Sequence, residues 1–474
     1  MIEYLENRIK DSFDEVFFQT IDNQNITFGQ FYTFAKTIAN NWEDNGLKPG
    51  DRIGFRINNS LALLASYLAC AIGGFTAVPI SPNLKKENTD LIISQSKPAM
   101  ILDKSPLLKY GNKLFKKDEI KIDTNPNSIF CIMFSSGTTG IPKGICLSLE
   151  RTIGSALAFG KLSGFDQETR LYHVLPMYYM AGLMNAFLAP FLAGARIIEG
   201  PEFSLGRVKD FWERPVRLEV NAIVLFPIIA SSLCRLARDK VLARKNASNI
   251  KLFQCTGNVL SKDLRRRFLD IFNKPLQDCY GITEVGGGLT MQTTEEALLD
   301  HNSGRMISEL DYRLVNYLGR NKELWIRSPY MMIGYLENDN IKLPLDDNGY
   351  FNTGDFAEII DDKLKITGRS KDIIIRGAEN ISPRSIENKI NKIKGVEEVC
   401  VLGIPHKFMG EMVVAFILPC DSSKGSDLAK NIKDIILNKL PPEIIPDKIV
   451  VVDNFPRSVS GTIQKKLLLK NVLQ

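Results

Sequence analysis

Apolar side chains in the first eighty residues switch between helical spacing and short continuous runs. The spacing predicts a helix over 28–45, a strand over 52–57, a helix over 61–72 and a strand over 77–80, with the turn L-K-P-G-D at 47–51. That rhythm belongs to a mostly parallel sheet with crossover helices. Residues 61–80 are almost free of polar side chains and long enough to cross a bilayer, but Gly73, Gly74 and Pro79 interrupt them. A buried helix running into a buried strand over 75–80 is expected instead, and no membrane span.

Further along, the lysine-rich stretch 97–124 predicts a short strand at 99–102 followed by solvated loop, and 129–134 is an apolar strand. A helix is expected over 150–164, a strand over 172–176, and a core helix plus strand over 182–198, where Pro190 and Gly194 interrupt another apolar run. Strands at 222–227 and 252–256 flank a helix at 229–237. Composition shifts near residue 370, beyond which come a compact mixed segment, a polar patch at 421–427 and a basic tail. Two domains are expected, 1–370 and 371–474, with the boundary at Lys371.

A chain of 474 residues exceeds one ordinary core, and 44% hydrophobic with 24% charged residues describes a globular protein. The net charge of +6 is mild, and no stripe of basic and aromatic residues argues for nucleic acid. The 8 cysteines form no C-x-x-C pair, several (Cys70, Cys131, Cys400) sit in apolar runs, and the amino-terminus lacks a signal-peptide core, so a cytoplasmic location is expected.

The candidate chemistry starts at 132–145, I-M-F-S-S-G-T-T-G-I-P-K-G-I. The apolar strand delivers the backbone to six small residues, Ser135, Ser136, Gly137, Thr138, Thr139 and Gly140, after which the turn-formers Pro142 and Gly144 bracket Lys143. Small residues let amides and hydroxyls close on phosphate oxygens, and the lysine adds a point charge. It is not a Walker loop, because Pro142 precedes the lysine and Gly144 stands where Ser or Thr should be. The string resembles the phosphate-binding signature of the adenylate-forming (AMP-binding) superfamily: acyl-CoA and aryl-CoA synthetases, peptide-synthetase adenylation domains and luciferases.

Companion strings follow in that superfamily's order. Residues 278–287, D-C-Y-G-I-T-E-V-G-G, resemble its Y-G-x-T-E motif. The resemblance implies that Tyr280 stacks on a purine, Thr283 meets the α-phosphate and Glu284 helps hold Mg²⁺, a hard ion that prefers oxygen ligands. Gly257 and Asn258 occupy the adenine-lining turn, Asn258 departing from the usual alanine. Asp355, after T-G-D, resembles the ribose-binding aspartate. Within G-R-S-K-D, Arg369 would sit near ribose and phosphate and Lys371 would be the interdomain pivot, while Gly377 would line the thiol channel. The fold implied is α/β, a large multi-subdomain amino-terminal domain with mostly parallel sheets plus a small mobile α+β carboxy-terminal domain.

The resemblance implies ATP-dependent activation of a small-molecule carboxylic acid through an acyl-adenylate, then transfer to the thiol of CoA or of phosphopantetheine on an acyl carrier protein. No fused carrier domain is expected. The acid pocket opens at L-P-M-Y-Y-M-A-G (175–182), where Tyr179 replaces the usual histidine and Met180, Met184 and Phe187 are apolar candidates. No aspartate follows to anchor an α-ammonium group, which favours an aliphatic or aromatic acid over an amino acid. One residue is missing. In P-R-S-V-S-G-T-I-Q-K-K the catalytic lysine's place is taken by Thr462, and Lys465 and Lys466 face the wrong way by strand alternation or lie too far along. An ammonium there is worth roughly 3 kcal/mol of transition-state stabilisation, so adenylation is expected to slow at least about a hundredfold. A degenerate nucleotide-binding regulator or scaffold is the non-enzyme alternative.

Overall fold

The computed structural model describes residues 1–104, 115–135, 142–203, 205–258, 260–299, 302–317, 321–338, 340–376, 379–420, 434–435, 445–458 and 461–470. These divide into two compact units, one of residues 1–260, 267–311 and 327–349, the other of 261–266, 312–326 and 350–474.

Two seven-stranded sheets build the larger unit. The first runs Gln277–Asp278, Leu252–Cys255, Ala222–Leu225, Arg170–His173, Arg196–Glu199, Val16–Gln19 and Asn25–Thr27, parallel except for its last pair. Ala222–Leu225 is buried at every position, which accounts for its unbroken apolar run. The second sheet is mixed. Met100–Leu102, Arg52–Phe55, Thr76–Pro79 and Ile129–Ser135 run parallel, whereas Lys143–Ser148, Gly334–Glu337 and Asn340–Lys342 continue it antiparallel. Ile129–Ser135 therefore lies where the pairing changes sense. The sequence reading placed a turn at 142–144; the structure starts a strand at Lys143, because the apolar side chains of Ile145, Cys146 and Leu147 are buried in the ladder between two neighbours.

Helix Leu61–Gly73 is buried along its whole length, ends at Gly74 in the left-handed region and leads into the buried strand Thr76–Pro79. Among the described residues no helix is long and apolar enough to cross a membrane. Helix Phe28–Asp44 is fixed by a capping box between Thr27 and Gln30, and its Phe28 and Phe31 meet Phe17 and Phe191 at ring-centroid distances of 4.8–5.8 Å. The predicted strand 172–176 stops at His173. Beyond it Asn59 clamps the chain, donating to Leu175 O and accepting from Met177 N, both at 2.7 Å.

In the smaller unit, Asp311–Tyr317, Asn321–Arg327, Phe351–Ile360 and Lys363–Arg369 lie side by side, the last three antiparallel. A second sheet centres on the hairpin Val396–His406 and Gly410–Pro419, whose alternation fills two cores. Val399, Val401, Val413 and Ala415 pack with Ile386 and Ile390 of helix Pro383–Ile390. Cys400, Leu402, Val414 and Phe416 pack with Phe455 and Leu468. Cys70, Cys131 and Cys400 are buried free thiols, as their apolar settings predict.

Candidate active site

Lys143 opens its strand opposite Ser135, so the ends of the phosphate-loop candidate are pinned by the ladder. Its ammonium lies over the ring of Tyr335, 5.1 Å from the centroid. The hydroxyl of the same tyrosine donates to Glu284 Oε1 at 2.9 Å. Burial, then the adjacent carboxylate, pushes the Tyr335 phenol well above its ordinary pKa, which keeps it a donor. Thr283–Val285 is a single 3-10 turn closed by Gly286, and Met332 N donates to Glu284 O at 2.8 Å. Lys143 and Glu284, far apart in sequence, thus meet on one side chain.

The segment around Glu284 also borders the acid-pocket candidates. Gly287 has φ +121°, and a Cβ there would lie 2.8 Å from Met184 Cγ and 3.6 Å from Met180 Cε. Both methionines are buried. Tyr179 remains exposed and meets Phe226 edge to face at 6.2 Å, and Gly257 abuts the same phenylalanine. Asn258 is exposed beside it, and half-buried Tyr280 has its backbone held by Thr290, whose Oγ1 accepts from Tyr280 N at 3.0 Å. Residues 180–193 fold as a helix with a π-helical turn at Met184–Leu188. Fully buried His173 shares a 3.0 Å hydrogen bond through Nε2 with Gly182 O, tying this helix to the first sheet. Burial lowers the His173 pKa to about 4, so the ring is neutral and Nε2–H is the donor.

In the smaller unit, Asp355 and Arg369 pair across adjacent strands, with Nε 2.6 Å from Oδ1 and the aspartate 1% exposed. Lys371 lies in the 3-10 turn Ser370–Asp372, where partial burial and then Arg369 lower its pKa, against Asp372 and Asp355. Thr462 is exposed and bonded back to Ser458: its carbonyl accepts from Ser458 N at 2.8 Å and its amide donates to Ser458 Oγ at 3.2 Å. Lys465 and Lys466 do not follow strand alternation, because Lys465–Lys470 is helical. Lys465 Nζ pairs with Asp372 Oδ2 of the same 3-10 turn as Lys371 at 2.8 Å.

Ser136, Gly137, Thr138, Thr139, Gly140 and Gly377, and the polar patch 421–427, lie outside the described residues. Sequence reasoning missed Tyr335, His173 and Asp372. Tyr335 sits in M-M-I-G-Y, which carries no chemical signature until strand pairing brings it to Lys143.

The donors fit a magnesium–nucleotide complex. Among the described residues no three His, Cys, Asp or Glu converge as a closed metal cage. A single oriented carboxylate, Glu284, suits an ion whose remaining ligands are phosphate and water oxygens.

The chain has counterparts among known proteins. The chain matches the family model described as AMP-binding enzyme over residues 5–336, and that of the AMP-binding enzyme C-terminal domain over 385–462. The long-chain-fatty-acid–CoA ligase FadD13 of Mycobacterium tuberculosis is 26% identical over 94% of this chain and 92% of its own. The 2-succinylbenzoate–CoA ligase of Staphylococcus epidermidis is 27% identical, over 94% and 93%. ATP-bound MatB from Rhodopseudomonas palustris superposes with a TM-score of 0.87 over 99% of both chains at 24% identity, a likeness of fold.

Proposed function

The chain belongs to the AMP-binding enzyme family, and from that premise we propose that it is an AMP-forming acid–thiol ligase. In the first step a carboxylate oxygen attacks the α-phosphorus of ATP in line, forming an acyl-adenylate as pyrophosphate leaves. In the second a thiol, of CoA or of carrier-bound phosphopantetheine, attacks the acyl carbonyl and AMP departs. The observation that carries this reading is the meeting of Lys143 and Glu284 on Tyr335.

Each residue has a definite task in the proposal. Ser135 and the amides and hydroxyls of 136–140 cradle the phosphates, and Lys143 sets their outer charge, so that binding energy goes into alignment. Tyr280 stacks on the adenine, with Gly257 and Asn258 along its edge, and Thr283 contacts the α-phosphate. Mg²⁺ on Glu284 would neutralise the phosphate charge. Asp355 and Arg369 serve the ribose, Lys371 is the pivot at the start of the mobile domain 371–474, and Gly377 lines the thiol path. Tyr179, Met180 and Met184 enclose the acid. Their apolar character, and relatives named for fatty-acid and 2-succinylbenzoate ligation, support an aliphatic or aryl acid rather than an amino acid.

Thr462 favours one second reading, a nucleotide-binding scaffold that has lost adenylation. Mass spectrometry of the products formed from ATP, Mg²⁺, CoA and a mixed carboxylic-acid library separates the two. Acyl-adenylate and thioester of aliphatic or aryl acids are expected; products chiefly of amino acids would reverse the substrate assignment, and none from either the wild type or Thr462→Lys would favour the scaffold.

A further inference from the structure

Glu284 and Lys143 belong to segments with no contiguity in sequence, and one strand joins them. Gly334–Glu337 pairs antiparallel with Lys143–Ser148, Tyr335 lying opposite Ile145 and Leu336 opposite Gly144. Side chains alternate along both strands, so Tyr335 projects from the face that carries Ile145 and Lys143, diagonal to the lysine. A diagonal neighbour is within reach of an aromatic ring, and the ammonium rests 5.1 Å from its centroid. The same segment grips Glu284 twice, through Met332 N on its carbonyl at 2.8 Å and the Tyr335 hydroxyl on Oε1 at 2.9 Å.

We propose that Tyr335 is a positioning residue that couples the two charged groups of the nucleotide site, its hydroxyl orienting Glu284 and its ring seating Lys143. The proposal rests on the reading of those two residues given above. A carboxylate can only accept and the phenol can only donate here, so the bond fixes one oxygen of Glu284 and leaves the other to face an ion. Such outer partners of a ligating carboxylate govern its affinity for metal. The ring acts on a different group by a different force. Desolvated on one side by the aromatic face, the ammonium is held near the strand end, where it meets the phosphates without first being ordered. Hydroxyl and ring therefore serve separable functions.

That separation is the test. ATP binding to the full chain is measured by calorimetry, once with Mg²⁺ and once with EDTA, for the wild type, Tyr335→Phe and Tyr335→Leu, with thermal midpoints alongside. The phenylalanine variant keeps the ring, so its metal-free ATP affinity is expected to match wild type while the gain in affinity on adding Mg²⁺ falls about tenfold. The leucine variant is expected to lose the Mg²⁺ gain and also to bind metal-free ATP about threefold to tenfold more weakly. A packing role would instead lower both affinities together with the thermal midpoint, already in Tyr335→Phe. That pattern, or an undiminished Mg²⁺ gain in Tyr335→Phe, overturns the proposal. A leucine variant that does not fold leaves the phenylalanine comparison to decide. Failure of the wild type itself to bind ATP would overturn the functional reading beneath it, a result distinct from any difference between variants.

Discussion

Position 462 is where, in the proposed reaction, a single side chain would set the rate of adenylation. Its backbone carbonyl and amide are both bonded to Ser458 while the residue is exposed, so a longer side chain can extend into solvent. Lys465 cannot simply be borrowed, since it is paired with Asp372 and begins a helix. That pair is solvent-accessible and worth little in stability, about 0–1 kcal/mol, but it fixes where the charge sits. Thr462→Lys is expected to raise ATP–pyrophosphate exchange about a hundredfold. Wild-type exchange at ordinary ligase rates, unaltered by Lys465→Ala and Lys466→Ala, would contradict this account of the threonine. At this scale the sequence exposes residues with a chemical signature, such as Lys143, Glu284 and the threonine itself. It hides Tyr335, whose part depends on a strand pairing no local pattern announces.

Among the elements, the joint between strand Arg170–His173 and helix Met180–Leu183 carries a titratable group in full burial. His173 is neutral in the fold with a pKa of about 4, against an ordinary 6.5. The unfolded chain takes up this proton as pH drops below about 6.5, whereas the folded chain resists until about 4. Its contribution is whole above that window and is lost through it, at a slope of up to about 1.4 kcal/mol per pH unit. Denaturant titrations between pH 7 and pH 4 should show the loss, and His173→Gln, which retains a donor for Gly182, should flatten it. An equal slope in the variant would assign the acid sensitivity to other groups. The reading of buried helix into buried strand at 61–80 follows from Gly73-Gly74 punctuation that the fold uses. The strand beginning at Lys143 escaped because proline and glycine on either side of the lysine spell a turn, and burial of the next three side chains outweighs that local preference.

For the whole molecule, fold class was legible because motif order runs along nearly the full chain, and strands Arg52–Phe55 and Thr76–Pro79 pair in parallel across helix Leu61–Gly73, as the periodicity of residues 28–80 predicts. The second sheet's antiparallel half was not, since Gly334–Glu337 joins Lys143–Ser148 from nearly two hundred residues downstream. Nor was the grouping of residues 312–326 with 350–474, which arises from the ladder between Asn321–Arg327 and Phe351–Ile360. The central claim is that the strand end at Lys143 and the turn at Glu284 grasp a nucleoside triphosphate. Calorimetric titration of the full chain with ATP and Mg²⁺, beside Lys143→Ala, tests it most directly. Saturable binding to the wild type, weakened about tenfold by loss of the ammonium, is the predicted result; no heat with the wild type, or equal affinity in the variant, would contradict it.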